Sequence, residues 1–223
     1  MSKAVHLSYP PENLEDTWRF HRLKKVTEIL VKNCCGLLLD IGCNDCSITR
    51  FLPKKQFKYI GIDLSRQALQ KGKCRQRILS DACNLPFQDN SVDVVSCFEI
   101  IEHTQEPHEL IQEIAKVLKT KGKLLISTPN QKSLFIKIQN TAHLPRFHDW
   151  RYVETHYQTF TPQKLDSLLK KHGFKVVKKI RSIAFPPFKI TKKPQVYKVF
   201  RLVSKIVPED SQELLIRLAV KVR

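Results

Sequence analysis

Three acidic residues, Asp40, Asp63 and Asp81, each follow an apolar run and stand roughly 20 residues apart. An acid that closes a strand can accept both hydroxyl protons of a ribose, the part for which Asp63 is the candidate. Asp40 is a candidate to hold a cationic amine, and Asp81, with Ala82 beside it, to receive an adenine amine. Gly42 lies in Leu39-Asp40-Ile41-Gly42-Cys43-Asn44-Asp45-Cys46, where a residue without Cβ lets the backbone come close to a ligand. A second titratable group, Glu99, Glu102 and His103, follows the run Ser91 to Phe98, and His156 comes later. Imidazoles and carboxylates of this kind serve as general bases. His143 and His148 are further candidate bases. Cys43-x-x-Cys46 has the spacing of half a zinc site or of a redox pair, but no neighbouring Cys or His pair completes it. The seven cysteines are therefore read as buried, reduced thiols.

The surrounding pattern must position these groups. Residues 12–33 carry Leu14, Trp18, Leu23, Val26, Ile29 and Leu30 at near-helical spacing. Strands are expected at Leu37 to Gly42, Phe57 to Ile62, Arg77 to Leu79, Ser91 to Phe98 and Lys123 to Thr128. Helices are expected at 45–52, at Ser65 to Lys73 with Ser65 as N-cap, and at Pro107 to Lys119 with Gly122 beyond its end. This alternation indicates a parallel sheet with helices on both faces, whose ligands lie beyond the carboxyl ends of the strands. After Pro129 the pattern loosens, and residues 130–158 read as a lid or insertion. Its Phe147, Trp150, Tyr152 and Tyr157, set among Arg146 and Arg151, suit the lining of an apolar or aromatic substrate pocket, or the stacking of bases. Thr161-Pro162 opens a further helix that runs to His172, Phe174 to Ile183 alternates as a strand, and Leu214 to Val222 reads as the last.

Composition narrows the function classes. No apolar run approaches the ~18 residues a membrane span needs, and the first ten residues carry no signal-type apolar stretch, so a cytoplasmic protein is expected. Of 39 Lys+Arg, 20 lie in residues 131–223 beside only 6 of the 21 Asp+Glu, which puts +14 of the net +18 there. Such a field draws anionic partners: RNA, an anionic membrane surface or an acidic small substrate. Within it, residues 185–210 form a basic amphipathic insertion before the last strand, its apolar stripe available to the core or to a membrane surface.

The motifs together resemble one family. Asp40-Ile41-Gly42-Cys43, Gly61-Ile62-Asp63-Leu64-Ser65, Asp81-Ala82-Cys83-Asn84-Leu85-Pro86-Phe87 and Glu99-Ile100-Ile101-Glu102-His103 occur in the order found in class I S-adenosylmethionine-dependent methyltransferases. So does Leu118-Lys119-Thr120-Lys121-Gly122-Lys123-Leu124. The resemblance implies an α/β, Rossmann-like seven-stranded sheet, mostly parallel with an antiparallel C-terminal hairpin. It implies one domain over residues 1–223, with 1–33 as an N-terminal helical extension. It also implies S-adenosyl-L-methionine as cofactor, held by Asp40, Gly42, Asn44, Asp63, Leu64, Asp81, Ala82 and Glu99. His103, Glu102 and His156 are then the expected catalytic residues. The expected reaction is O-methylation of a small molecule or of a lipid or quinone precursor. Where the family usually has glycines, this chain has Asn44 and Cys46.

Two other readings stay open. Glu99, Glu102, His103 and His156, with Ser127-Thr128-Pro129-Asn130, are also similar to small-RNA 2′-O-methyltransferases, in which such a set would hold a divalent ion. Small-molecule members share Glu-x-x-Glu-His, so the expectation is no metal. The remaining reading is a binding module without catalysis on the same fold.

Overall fold

The structure, a computed structural model, describes residues 18–72, 74–134, 156–181, 205–212 and 214–222, together with Lys137, Thr141 and Leu202. In chain order the elements are α1 (Trp18–Asn33), β1 (Gly36–Ile41), β2 (Phe57–Asp63), α2 (Arg66–Lys71), β3 (Arg77–Leu79) and β4 (Val92–Phe98). They continue with α3 (Pro107–Val117), β5 (Leu118–Pro129), α4 (Pro162–Lys171), β6 (Phe174–Ile180) and β7 (Leu214–Lys221). Seven strands form one sheet in the order β3-β2-β1-β4-β5-β7-β6. β1 to β5 pair in parallel, and β7 pairs antiparallel with both β5 and β6. The expected sheet and its C-terminal hairpin are both present.

Alternating side chains sort onto the two faces. Leu38, Val94, Leu125, Ile216 and Leu218 pack with Val26, Ile29 and Leu30 of α1. Their neighbours Leu39, Ile41, Val95, Leu124, Ile126 and Leu215 pack with Leu110, Ile111 and Ile114 of α3 and with Leu165 and Leu169 of α4. Each such fully buried Leu or Ile contributes roughly 1.5–3 kcal/mol. Arg217 shares the α4 face of β7. Its fully buried guanidinium donates to Asp166 of α4 at 2.7 Å and to Asp210 at 2.5 Å, which pins the last strand to that helix.

The capping residues behave as read. Ser65 Oγ accepts from Ala68 N–H, Thr161 Oγ1 accepts from Lys164 N–H, and Gly173 turns the chain after α4 with φ 81°. Three boundaries differ. The helix expected at 45–52 is a short 3₁₀ turn, Ser47–Arg50, because Asn44 and Cys46 take left-handed backbone just before it. α3 ends at Val117, since Leu118 is already extended (ψ 136°) and starts β5. Gly122 lies beyond the helix end as expected, but inside β5, within the register irregularity between Leu118 and Lys123. β6 runs to Ile180, short of the expected Ile183. Most of the lid, most of the 185–210 insertion and the first 17 residues lie outside the described residues.

Candidate active site

The carboxyl ends of β1, β2, β3 and β4 bring the expected residues to one edge of the sheet. Registers Ile41↔Ile62, Asp63↔Leu79 and Ile41↔Cys97 place the segments that follow these strands side by side. After β1 the chain turns through Gly42 (φ 69°), Asn44 (φ 50°) and Cys46 (φ 57°). A Cβ at Gly42 would overlap the Ile100 side chain, so only glycine fits. Asn44 adopts left-handed backbone readily, whereas Cys46 does so at a cost of order 1 kcal/mol.

Asp63 holds this turn. Its Oδ2 accepts from Asn44 N–H at 2.8 Å and its Oδ1 accepts from Ser65 N–H at 2.8 Å. Both oxygens keep a lone pair for a further donor, as an acid gripping ribose hydroxyls requires. Asp40 is buried. Its two oxygens accept from Tyr59 Oη (2.8 Å) on β2 and Ser96 Oγ (2.6 Å) on β4. The Ser96 bond follows from the register, since Ser96 is the β4 residue opposite Asp40. Burial pushes the Asp40 carboxyl up to about 6, although the two hydroxyls pull it down. Asp40 thus ties three neighbouring strands together beneath the turn. Asp81 is exposed and accepts from Cys83 N–H at 2.9 Å, with Ala82 half-buried beside it. Leu64 is exposed.

The end of β4 carries the second group. Glu99 takes left-handed backbone (φ 54°), and its N–H donates to Ser127 O of β5. Glu102 is buried, with Oε2 accepting from Thr128 Oγ1 at 2.9 Å. The ring centroids of His103 and His156 lie 4.8 Å apart in an edge-on arrangement. One ligand atom each from Glu102, His103 and His156 falls within 4.8 Å of the others. His156 arrives from 53 residues beyond His103 because Gln158 N–H donates to Glu102 O (3.2 Å) and Phe160 bridges Asn130 of the β5 end. His143, His148, Arg146, Phe147, Trp150, Arg151 and Tyr152 lie outside the described residues. Tyr157 is exposed. A cavity of about 440 Å³ between α3 and α4, lined by Glu106, His108, Phe160 and Lys164 among others, includes none of the expected site residues.

The cysteines require a correction. They are not all reduced thiols: Cys46 and Cys74 are joined as a disulfide, which ties the turn after β1 to the connection between α2 and β3. Cys34, Cys35, Cys43, Cys83 and Cys97 are free, and not all are buried: Cys35 is exposed and Cys83 half-buried. Sequence reasoning also missed Tyr59, Ser96 and Thr128, the hydroxyls that hold the two buried acids. Only Thr128 lay within a motif that had drawn notice. Nothing in the linear sequence tied Tyr59 or Ser96 to Asp40.

A family model described as a methyltransferase domain matches residues 16–179. A demethylmenaquinone methyltransferase from Thermotoga maritima is 28% identical over 184 residues, covering 73% of this chain and 79% of that protein. A ubiquinone biosynthesis O-methyltransferase from Neisseria meningitidis is 24% identical over 162 residues, covering 64% of this chain and 65% of that one. Among solved structures, a complex of the Haloferax volcanii Trm112 methyltransferase activator with a methyltransferase aligns with TM-score 0.65 and 16% identity, over 91% of each chain.

Proposed function

We propose, from the premise that this chain belongs to the methyltransferase-domain family and is an enzyme drawing its methyl group from S-adenosylmethionine, that it methylates a hydroxyl oxygen of a small molecule of the quinone-precursor or lipid-precursor type. Asp63 would accept from the ribose hydroxyls, and Asp81, Ala82 and Leu64 would hold the adenine. Gly42, Asn44 and Asp40 would hold the methionine end, and Glu99 would contact the cofactor from the β4 end. The observation that carries the acceptor side is the Glu102–His103–His156 group, gathered within 4.8 Å just beyond β4.

When bound, S-adenosylmethionine would supply an electrophilic methyl group for transfer to the acceptor oxygen, and the residues of this chain would hold the two in line. His103 or His156 takes the hydroxyl proton, and buried Glu102 holds the imidazoles in place. Most of the acceleration comes from holding donor and acceptor in line, with proton removal adding roughly 10²–10⁴. The kinship with quinone-pathway enzymes supports the substrate class. The test is S-adenosylhomocysteine formation with phenolic quinone precursors. Turnover that needs a free ring hydroxyl supports the reading, and turnover with RNA alone overturns it. Membership in an enzyme family argues against a module without catalysis. We place the enzyme in the cytoplasm; no helix among the described residues is long and apolar enough to cross a membrane. The +14 charge of residues 131–223 supports contact with an anionic membrane surface.

The same group favours a second reading. One buried carboxylate and two imidazoles are a donor set that fits a borderline divalent ion. When bound, such an ion would polarise the acceptor hydroxyl, which suits 2′-O-methylation of RNA. Glu102, His103 and His156 would hold it. Loss of turnover in chelator with restoration by manganese or zinc, and RNA binding that falls steeply with salt, would favour this reading over the first.

A further inference from the structure

Three sulfurs meet under the cofactor turn. Cys46 is joined to Cys74, and Cys43 Sγ lies 3.9 Å from Cys46 Sγ. Cys43 and Cys46 are buried, with Leu69 of α2 and Tyr59 of β2 packed around them. Cys74 is half-buried, just before β3. The Cα atoms of Cys46 and Cys74 stand 6.0 Å apart, within the ordinary span of a disulfide. Two glycines make room for the group: a Cβ at Gly61 would come within 2.7 Å of Cys43 Sγ, and one at Gly72 within 3.2 Å of Cys46 Sγ.

The place matters more than the bond. Cys46 is the last of the left-handed residues in the turn after β1, and Asn44, two residues earlier, donates its N–H to Asp63. Cys74 sits beyond α2, the helix that begins directly after Asp63 and Ser65. A link between them closes a loop of 28 residues that contains β2 and α2. It therefore brackets Asp63, the acid placed at the ribose, from both sides.

We propose that Cys46 and Cys74 form a reversible dithiol–disulfide site, oxidised by small-molecule disulfides such as oxidised glutathione, that sets how tightly the protein binds its adenosyl cofactor. This inference rests on the cofactor lying over the β1 and β2 ends. Oxidation begins at Cys74, the more accessible partner. Its thiolate attacks a sulfur of the oxidant, forming a mixed disulfide and releasing one glutathione thiolate. Cys46 sulfur then attacks Cys74 sulfur and expels the second glutathione. The protein loses two electrons and two protons, and both protons end on the two glutathione thiols formed. Cys43 stays a bystander: burial first, and then the charges of Asp40 and Asp63, push its thiol well above the usual range and keep it protonated. The linked form holds the turn in the shape that presents Asn44 N–H to Asp63, so it binds the nucleoside with less ordering to do. The reduced form must order that turn on binding.

The test uses the full chain with S-adenosylhomocysteine as the probe. Protein is treated with reductant or with oxidised glutathione, its intact mass is measured, and binding is titrated by calorimetry. The expected result is a loss of about 2 Da on oxidation, from two hydrogens leaving as the disulfide forms, and a dissociation constant roughly 5–10-fold lower. Cys74→Ser is expected to lose neither the mass nor the reduced-state affinity. No mass change, a mass loss that persists in Cys74→Ser, or equal or weaker binding after oxidation overturns the proposal. Binding in neither state removes it together with the cofactor placement, whereas equal binding in both removes it alone.

Discussion

The two sides of the strand edge are built on opposite principles. On the side proposed for the methyl donor, at the ends of β1 and β2, each acid is fixed locally. Asp63 accepts two backbone N–H groups within its own and the adjacent turn, and Asp40 accepts two hydroxyls from adjacent strands. On the side proposed for the acceptor, Glu102 and His103 follow β4 directly, but their third member comes from far along the chain, just before α4. The strand ends on the first side are organised by the sheet itself, while the turn that follows β1 is held by Asp63 and by the Cys46–Cys74 link. The acceptor side depends on Gln158 and Phe160 docking against the β4 and β5 ends. A cofactor shared across a family suits the first arrangement, and an acceptor that varies suits the second.

The sharpest way to break this contrast is His103→Ala. It should lower kcat by about 10²–10⁴ while S-adenosylhomocysteine binding in calorimetry stays unchanged. An equal loss in both would mean that the two sides are not separable. Gly42→Ala should act on the donor side through the fold. It forces a side chain into Ile100 at positive φ and should cost about 2–4 kcal/mol in denaturant unfolding. Asp63→Ala should weaken S-adenosylhomocysteine by about 1.5–3 kcal/mol, read by titration, with little change in kcat at saturating cofactor.

The smallest effect concerns pH. The Asp40 carboxyl titrates near 6 when folded, against an ordinary value of 3.8. The folded state therefore holds this proton more tightly than the unfolded one. The stability this contributes is complete below about 4 and is lost as pH rises through 6. Asp40→Asn should remove that part of the decline, of order 1–3 kcal/mol between pH 4 and 7, in unfolding curves compared with the parent chain. Parallel curves for the two proteins would mean that the hydroxyls of Tyr59 and Ser96 fully offset the burial.

The same contrast explains what the sequence could reveal. Strand ends were legible because apolar runs stop at Gly42, Asp63 and Ser80-Asp81, and a run and its stop are local facts. A helix is expected over 45–52 where the structure has a short 3₁₀ turn, because Cys46 gives no hint of left-handed backbone by residue type; the family's glycines at positions 44 and 46 are the one signal for it. His103 and His156 were linked by resemblance alone, since 53 residues separate them. Cys74 was invisible as a partner for Cys46, because the pairing arises only when α2 folds back against β2 and β3. Arg217 offered a signal that went unused: a lone cation inside Leu214 to Val220 has to be buried with an acid or left out of the core.

One consequence of the strand order concerns how the chain matures on the ribosome. β7 follows β6 in the chain, yet it inserts between β5 and β6. Until Leu214 to Lys221 have been synthesised, the outer side of β5 has no mate and β6 has none at all. The nascent protein must therefore emerge with an open, apolar flank at what will become an interior seam, the kind of surface that recruits chaperones or neighbouring chains. Arg217 reaches Asp166 in the same step that closes the seam, so arrival of the last strand both ends this vulnerable interval and locks α4 onto the sheet.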